Sequence, residues 1–436
     1  MILLSFDTEE FDVPREHGVD FPLDEAMKVL PPFMQKDQSR WTYHSLESAA
    51  TLKAQVLLYA ASPLFNGNPA YTNFKNKKGE QLFNTTYDHE KWKRAAEATD
   101  EAIQLCLDGG RQLVTGNMSK STELLNTMMD IENSVVAPGY ANNEAIYMIR
   151  PQGQSLHFWY SWTLPYFKST DYANYNASMK GCISPSIKMV EMYYTEHGLP
   201  IDADKEWDYS SRYQMGKESS PLYRDVIPLN SDVLGLHLRR EPRFYAAVTY
   251  EGKSWHIQPR FNYDWGAGFA KGEGSDNSVG DYPRNGYLLY KFKNRQIMYT
   301  GDYIKKWARP SILFRLADFY LYYAEVCNEI DPEDECVIDY LDKIRERAGL
   351  LGYRELAATG KKNIIGDRKL QRRAIQQERR VELFAEGQRF FDIRRWMIAP
   401  QKMTATLTGM YIEKTDVSEQ YPKGRIYTRR AIPQNR

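Results

Sequence analysis

The sequence predicts a mainly α-helical protein whose middle region is rich in loops and contains short strands. Two stretches, 46–107 and 311–391, repeat apolar side chains every three or four residues, which is typical of helices buried along one side. Between them, from about 118 to 300, this period is lost, and short apolar segments alternate with runs of Gly, Asn, Asp, Ser and Pro. A chain of 436 residues is long enough to bury a large core.

The first stretch predicts a helical hairpin. Its first helix spans 46–61, because Ala and Leu dominate there and Pro63 disfavours helical geometry in the residue before it. Its second helix runs from Asp88, a good N-cap residue, to about residue 107, where Gly109 and Gly110 stop it. The predicted buried stripes are Ala49, Leu52, Val56 and Tyr59 in the first helix and Trp92, Ala96, Thr99 and Ile103 in the second. Such a pair resembles one tetratricopeptide-like hairpin.

The same patterns assign the later elements. Strand character is visible at 244–248 and 287–290. The helices predicted in the last part of the chain span 311–328, 338–348 and 370–391. Between the two strands, the glycine-rich segment 261–284 has no packing period. A loop of that length within a compact chain is either functional or disordered.

Charge and hydropathy exclude several classes of function. The chain has 57 basic and 57 acidic residues, so its net charge is zero, and no basic stripe predicts nucleic-acid binding. The mean hydropathy is −0.61, and no apolar run is long enough for a transmembrane helix. Aromatic residues make up 13% of the chain, and many Tyr and Trp lie in polar loops. Flat rings with a polar edge suit sugar binding, although Tyr is also common in large secreted folds.

The cysteines and histidines do not predict a metal site. Four cysteines lie far apart without a CxxC pair, so a structural zinc site is not expected. Only Cys327 and Cys336 are close enough in sequence to suggest a disulfide, and the favoured interpretation is that both behave as ordinary small apolar residues. The two nearest histidines, His237 and His256, are 19 residues apart, so no metal-binding pair lies within one helix or loop.

Three glutamates in the last predicted helix form a candidate carboxylate cluster. Glu378, Glu382 and Glu386 are four residues apart and therefore lie on one helical face. Paired carboxylates can carry out acid–base catalysis. The favoured interpretation is structural, since flanking arginines neutralise the glutamates and the network then fixes how the helix packs on its neighbours.

The first residues carry a different signal. A short strand-like segment leads to Asp7, at the position where barrel enzymes place catalytic groups. The stretch 1–28 resembles the opening of NodB-type polysaccharide deacetylases, in which Asp7 would match the catalytic base. Thr8 stands where that family has a metal-binding Asp, and the histidine pair is missing. We therefore predict two units, a deacetylase-like fragment at 1–29 and a main domain at 30–436.

Four segments of the main domain resemble signature stretches of the SusD/RagB family. They are LKAQVLLYAASPLFNG (52–67), EPRFYAAVTYEGKSW (241–255), ILFRLADFYLYYAEVCNEI (312–330) and ERRVELFAEGQRFFDIRRW (378–396). The resemblance implies a largely α-helical fold of tetratricopeptide-like hairpins that support a loop-rich binding face, with no catalysis, cofactor or metal. It also implies a surface-exposed outer-membrane lipoprotein of Bacteroidetes. Such proteins capture glycans, or sometimes peptides, as the lid of a TonB-dependent transporter.

The sequence also departs from that family. Its members begin with a lipoprotein signal and a lipidated cysteine, followed by helices ahead of the block that starts here near Leu46. Neither feature is found in this sequence. We therefore expect a truncated or hybrid chain in which the part of the glycan surface built by the front segment is missing.

Aromatic residues of the middle region are the predicted ligand contacts. Tyr263, Trp265 and Tyr282 lie in the glycine-rich segment, and Trp159 and Trp162 lie in the ring-rich segment SLHFWYSWTLPYF. The polar residues expected to bond sugar hydroxyls are Asn262, Asp264 and Arg284. The ring-rich segment reads equally well as part of the core.

Three functional hypotheses remain open from the sequence. The favoured one is a glycan-binding accessory protein of an outer-membrane uptake complex, whose partners are an oligosaccharide or polysaccharide and a TonB-dependent transporter. The second is a metal-dependent polysaccharide deacetylase, which rests only on residues 1–28. The third is a helical scaffold that binds another protein through the same aromatic loops.

Overall fold

The computed structural model describes residues 20–34, 40–116, 121–137, 139–149, 162–163, 183–256, 264–266, 285–293, 311–404, 408–410 and 426–428. Twelve α-helices and ten short strands lie in these residues, which confirms the predicted mainly α-helical class. None of the helices in these ranges is both long and apolar enough to span a membrane.

Most of the helices lie toward the two ends of the described chain, and two short ones lie in its middle. They are α1 Asp20–Met27, α2 Leu46–Ala61, α3 Glu90–Asp108, α4 Glu123–Val136, α5 Ile187–Met192, α6 Pro242–Ala247, α7 Leu316–Ile330, α8 Glu335–Arg347, α9 Tyr353–Ala358, α10 Arg368–Glu382, α11 Gln388–Arg395 and α12 Ala399–Met403.

The strands form five antiparallel pairs, each of two strands: β1 with β8, β2 with β3, β4 with β7, β5 with β6, and β9 with β10. Their bounds are β1 Ala145–Ile149, β2 Met215–Lys217, β3 Asp232–Leu234, β4 Val248–Tyr250, β5 Ser254–His256, β6 Asp264–Gly266, β7 Tyr287–Leu289, β8 Ser311–Arg315, β9 Thr408–Met410 and β10 Ile426–Thr428.

Two helical hairpins, α2–α3 and α7–α8, build the first core. Helix α7 is central, because it packs against α2, α3, α8 and α10. Small residues such as Ala54, Ala95 and Ala324 are fully buried where these helices cross, so the backbones approach closely. A capping box at Ser45 and Ser48 satisfies amides that the first turn of α2 would otherwise leave unbonded.

A second core lies beneath α4, α5, α6 and the β4–β7 pair. It is rich in aromatic rings, among them Tyr193, Phe244, Tyr250 and Tyr287. Helix α10 joins the two cores, because Ala374 and Ile375 pack in the first core and Val381 packs in the second. The charged groups of α10 therefore lie where the two cores meet.

The predicted hairpin helices are confirmed, but the predicted face of α2 is wrong. Leu52, Val56 and Tyr59 are only half-buried, whereas Ala50, Ala54, Leu57, Leu58 and Ala61 form the buried side. Apolar residues surround most of this helix, so their spacing alone does not select a face. The prediction for α3 holds better, since Trp92, Thr99 and Ile103 are buried.

Three segments of the middle and late chain differ from their predicted structure. Residues 244–247 are the end of α6 and only 248–250 form a strand, because Pro242 opens a helix that is buried on every side. Residues 311–315 form β8, not the start of a helix. The predicted helix 370–391 is two helices, separated by a turn in which Ala385 and Gly387 have φ of 64° and 90°.

Helices α4 and α5 were not predicted, although their signals are in the sequence. Thr122 caps α4 by accepting a hydrogen bond from the Leu125 amide, and Met128, Ile131 and Val135 continue a buried stripe. Helix α5 is short, and Ser186 caps it in the same way. Loops rich in Gly and Asn on either side of these helices interrupt the apolar period, so neither helix was predicted.

Helix α1 lies next to the boundary between the two predicted units. It packs against α2, and the Lys53 ammonium lies 2.7 Å from the Asp24 carboxylate. Residues 1–19, which include Asp7 and Thr8, lie outside the described residues. The division at residue 29 stays a prediction.

The cysteines near the end of the first core correct a prediction. Cys327 and Cys336 are not ordinary apolar residues, because they form a disulfide that joins the last turn of α7 to the first turn of α8. The Asp334 carboxylate caps α8 by accepting a hydrogen bond from the Cys336 amide at 2.9 Å. The cap and the disulfide together fix the turn between the two helices.

We predict that the Cys327→Ser/Cys336→Ser double variant loses about 2–3 kcal/mol of unfolding free energy, because the bridge closes a loop with a sequence separation of 9 residues. Urea unfolding of both proteins, with and without a reductant, measures the loss. The reductant should weaken the natural protein and leave the double variant unchanged. Equal stabilities without the reductant would contradict the stabilising role.

Candidate functional site

The β5–β6 pair carries two residues of the predicted ligand set, Asp264 and Trp265. Trp265 pairs with Trp255 across the two strands, and Asp264 pairs with His256. The backbone therefore holds one predicted residue of each kind, aromatic and polar, in a defined register. The remaining predicted residues, Asn262, Tyr263, Tyr282, Arg284 and Trp159, lie outside the described residues.

Trp162, the last of the predicted contacts, is half-buried, and backbone hydrogen bonds connect it to the second core. Its carbonyl accepts a hydrogen bond from the Ile183 amide at 3.1 Å, and the Ile183 carbonyl accepts one from the Leu289 amide of β7. The next residue, Thr163, is buried and hydrogen-bonded to the Lys293 ammonium. The structure thus attaches this segment to the β4–β7 pair.

A group of stacked rings in the α2–α3 connection, one of them exposed and three half-buried, was not predicted. This loop aromatic cluster consists of Phe65, Tyr71, Phe74 and Phe83. Tyr71 stacks on Phe83 with ring centroids 4.6 Å apart, and Phe74 is 50% exposed. The predicted ligand contacts were Tyr and Trp residues of the middle region, and none of these four rings was among them.

Hydrogen bonds within the connection hold the loop aromatic cluster in place. The buried Asn66 amide group donates to the carbonyls of Ala61 and Asp88, and its oxygen accepts from the Asp88 amide at 2.8 Å. Further along, the Asn76 side chain accepts from the amides of Lys78 and Glu80, both at 3.0 Å. The rings therefore stand on an ordered loop, as ring stacking with a ligand requires.

The candidate carboxylate cluster is the centre of a buried network of ion pairs. This central ion network comprises five carboxylates and five cations: Glu144, Glu241, Glu378, Glu382, Glu386, Arg243, Arg315, Arg345, Arg347 and Lys291. Its charges balance, and all of its side chains are almost completely buried.

The neutralising groups come mainly from other elements, not from flanking arginines of the same helix as predicted. Glu378 pairs with Arg345 of α8 at 2.7 Å and with Arg243 of α6 at 2.9 Å. At the end of β8, Arg315 reaches Glu382 at 2.9 Å and Glu386 at 2.7 Å. The structural role expected for the three glutamates holds, with α6, α8, α10 and β8 joined through them.

Charge pairing overcomes the cost of burying Glu378 and Glu382, whereas burial prevails at Glu241 and raises its pKa. Burial alone would raise the pKa of Glu378, but Arg243 and Arg345 outweigh it and lower that pKa. The pKa of Glu382 is held well below its usual range against burial by Arg347, Arg315 and Arg243. A carboxylate held ionised and without access to solvent is a poor general acid or base. The network stabilises the fold and does not form an active site.

A second, smaller ion cluster fastens α11 to α7 and α10. The Asp392 carboxylate of α11 binds Arg379 of α10 at 2.9 Å and also binds Arg395. Arg395 makes two hydrogen bonds with Glu325 of α7, at 2.6 and 2.7 Å. The Trp396 indole donates a third hydrogen bond to Glu325. Both faces of α10 are thus fixed by charge.

Asp318, in the first turn of α7, is a buried carboxyl group that sequence analysis did not single out. Burial raises its pKa to about 7, although Arg315 and Arg379 lower it. One of its carboxyl oxygens has no hydrogen-bond partner in the described structure. A shifted pKa of this kind often marks an active site. Here the side chain is enclosed in packed core, so the shift affects stability.

No metal site is evident in the part of the chain that the structure describes. Within it, no three His, Cys, Asp or Glu side chains lie where they could share a metal ion. The deacetylase hypothesis rests on residues outside that part, so its catalytic residue Asp7 has no described surroundings.

Comparison with known proteins gives one family. The sequence model of the SusD family matches residues 127–431, about 70% of this chain. No curated protein sequence gives a significant match.

Solved structures share the fold. A protein named BT4246 is 27% identical, with a TM-score of 0.77, and the match covers 93% of this chain and 69% of that one. A SusD-like protein from Bacteroides fragilis, BF3747, is 19% identical with a TM-score of 0.61, covering 92% and 65%. A SusD-like carbohydrate-binding protein from the same species, BF0978, is 16% identical with a TM-score of 0.59, covering 90% and 60%.

We predict that Arg315→Gln loses about 3–5 kcal/mol of unfolding free energy, because buried carboxylates are left without their cation. The matched control is Arg354→Gln, which breaks an exposed pair with Asp339 and should cost about 1 kcal/mol or less. Urea unfolding at pH 7 measures both. A loss from Arg315→Gln no larger than that of the control would remove the network from its central role.

We predict that Asp318→Asn changes the free energy of unfolding by an amount that depends on pH. The raised pKa means that folded protein retains a proton that unfolded chain releases between about pH 4 and 7, so Asp318 costs stability as the pH rises through that range. Asparagine does not ionise. Urea unfolding should therefore show that the unfolding free energy of the variant, relative to that of the natural protein, is higher at pH 8 than at pH 5. A difference between the two proteins that does not change with pH would show that Asp318 has an ordinary pKa.

Proposed function

This chain belongs to the SusD family, and we propose that it captures oligosaccharides at the cell surface without transforming them. The observation that carries this proposal is the family match over residues 127–431. The loop aromatic cluster adds physical support through the exposed ring of Phe74, since the faces of sugar rings stack on flat aromatic surfaces.

Two surfaces are proposed to contact the glycan. The first is the predicted set of Tyr263, Trp265 and Tyr282, in which Asn262, Asp264 and Arg284 bond sugar hydroxyls and Trp159 and Trp162 extend the surface. The second is the loop aromatic cluster. In both, rings supply apolar contact and nearby amide, carboxylate or guanidinium groups supply the donors and acceptors that select one sugar over another.

The helical frame supplies rigidity in this mechanism. A binding loop that is already ordered loses little conformational entropy when the ligand arrives. The hydrogen bonds of Asn66 and Asn76 give the loop aromatic cluster that property. The central ion network makes the helices beneath that loop rigid as well.

We further propose that the protein works at the outer membrane as the partner of a TonB-dependent transporter. The family resemblance supports both the place and the partner. The Cys327–Cys336 disulfide agrees with this location, since such bonds persist outside the reducing cytosol.

The two other hypotheses make different predictions. A polysaccharide deacetylase would release acetate from an acetylated glycan and would contain a bound metal. A scaffold for another protein would leave soluble glycans unbound while still binding that protein through its exposed rings. Glycan binding without acetate release separates our proposal from both.

We predict that the purified chain binds a soluble polysaccharide and that removal of single rings weakens binding. Trp265→Ala and Phe74→Ala should each reduce affinity by about 3- to 10-fold, because each ring loses one stacking contact. Tyr43→Ala is the matched control, since Tyr43 is 61% exposed and belongs to neither surface. Isothermal titration calorimetry against a panel of polysaccharides measures the affinities. If both variants bind as tightly as the control, neither surface contacts the glycan.

A further inference from the structure

Among the described residues, four cations have no partner. This cationic patch consists of Lys188 of α5, Arg380 of α10, Arg389 of α11 and Lys402 of α12. Among the described residues, none of these side chains has a carboxylate or carbonyl within ion-pair or hydrogen-bond distance. Lys188, Arg380 and Arg389 are half-buried, and Lys402 is exposed.

Unpaired, half-buried arginines are unusual in this molecule. Every other buried or half-buried arginine in the described ranges has a carboxylate or carbonyl partner. Arg372, two turns before Arg380 on the same helix, makes two hydrogen bonds with Glu329 at 2.6 and 2.7 Å. Within the described residues, every buried or half-buried guanidinium therefore has a carboxylate or carbonyl acceptor, except those of Arg380 and Arg389.

The charges of the cationic patch lie close enough to repel one another. Burial, together with the charge of Arg380, lowers the pKa of Arg389 to about 10, although the Asp392 carboxylate acts to raise it. Burial also lowers the pKa of Lys402, with added repulsion from Arg389, Arg380 and Lys188. Bringing four like charges together without a counterion costs free energy, and a bound anion would recover it.

The frame that carries the patch is fixed. The Gln377 side chain of α10 donates a hydrogen bond to the Met192 carbonyl at the end of α5, at 3.1 Å. Helix α11 is held to α10 by the Arg379–Asp392 pair at 2.9 Å, and α12 packs against α11. The repulsion is therefore imposed by anchored helices and is not relieved by their moving apart.

Aromatic rings adjoin the cationic patch. Phe390 and Phe391 follow Arg389 on α11 and are 55% and 47% exposed, with ring centroids 5.3 Å apart. The Arg394 guanidinium covers one face of Phe390, 3.4 Å from its ring centroid, so the other face and the Phe391 ring are the surface left for a sugar. Guanidinium groups bind carboxylate and sulfate with paired hydrogen bonds, and rings beside them offer surface for the face of a sugar. The combination suits a sugar residue that carries an acidic substituent.

We propose that the cationic patch binds the sulfate or carboxylate group of an acidic glycan. This inference rests on the proposed glycan-binding function and names the class of glycan: one that bears negative charge. Arg380 and Arg389 bond the anionic group, Lys188 and Lys402 add charge at the rim, and Phe390 and Phe391 face the sugar ring.

The test compares a sulfated oligosaccharide with the same oligosaccharide after chemical desulfation. Calorimetry measures the binding of both to the natural chain, to the Arg380→Gln/Arg389→Gln double variant and to Arg373→Gln. Arg373 is the matched control, because it is exposed on the same helix and outside the patch. The double variant loses no ion pair, so it should unfold at the same temperature as the natural chain or above it.

We expect the natural chain and the control to prefer the sulfated form, and we expect the double variant to bind that form about 10- to 100-fold more weakly. Its affinity for the desulfated form should not change. Equal binding of the sulfated form by all three proteins would overturn the proposal. A double-variant defect seen only with vesicles of anionic lipid would overturn it as well.

A second measurement separates failure of this proposal from failure of the glycan-binding function. Thermal unfolding is followed in sodium sulfate and in sodium chloride at equal ionic strength. Sulfate should stabilise the natural chain and the control more than it stabilises the double variant. If sulfate stabilises the natural chain and the control more than the double variant while neither oligosaccharide binds, that outcome would support the anion-binding site and contradict the glycan-binding function. Equal effects of sulfate on all three proteins would show that the patch holds no oxyanion.

Discussion

The central ion network is the interaction on which the rest of this structure depends. Its five carboxylates and five cations are drawn from α6, α8, α10, β8 and neighbouring segments, so no single element is neutral without the others. Removing one partner from a buried pair costs much more than the pair itself contributes, because the remaining charge has no solvent. Helix α10 is therefore fixed in position between the two cores. That constraint explains why a chain with long irregular segments still has one well-defined helical body.

The same constraint separates structural charge from charge that is free to bind. In the described residues, most buried arginines are matched with carboxylates, and the resulting pairs are closed to ligands. The cationic patch differs because its arginines have no carboxylate partner among the described residues, and the loop aromatic cluster differs because its Phe74 ring is half exposed. Both lie on elements that the ion pairs or loop hydrogen bonds hold still. Binding capacity in this protein therefore resides in groups that the frame orders but leaves without partners.

The sequence predicted the helical class, the α2–α3 hairpin and the structural role of Glu378, Glu382 and Glu386, because apolar period and charge spacing are local signals. It did not predict the buried face of α2, the turn at Ala385 that ends α10, or the disulfide. Those features depend on which elements meet in space. The partners of the glutamates are also long-range, since Arg243 lies 135 residues from Glu378. The loop aromatic cluster was missed for the same reason: its rings are scattered over 65–83 and stack only after the connection folds.

We propose that a fixed helical frame presents ordered rings that bind a glycan. Amide hydrogen exchange, read by mass spectrometry with and without a bound polysaccharide, tests it most directly. We expect the glycan to slow exchange in the α2–α3 connection and around the β5–β6 pair, while exchange in α7 and α10 stays slow and unchanged. Slower exchange confined to α7 and α10, or no change anywhere when the glycan is bound, would contradict the claim.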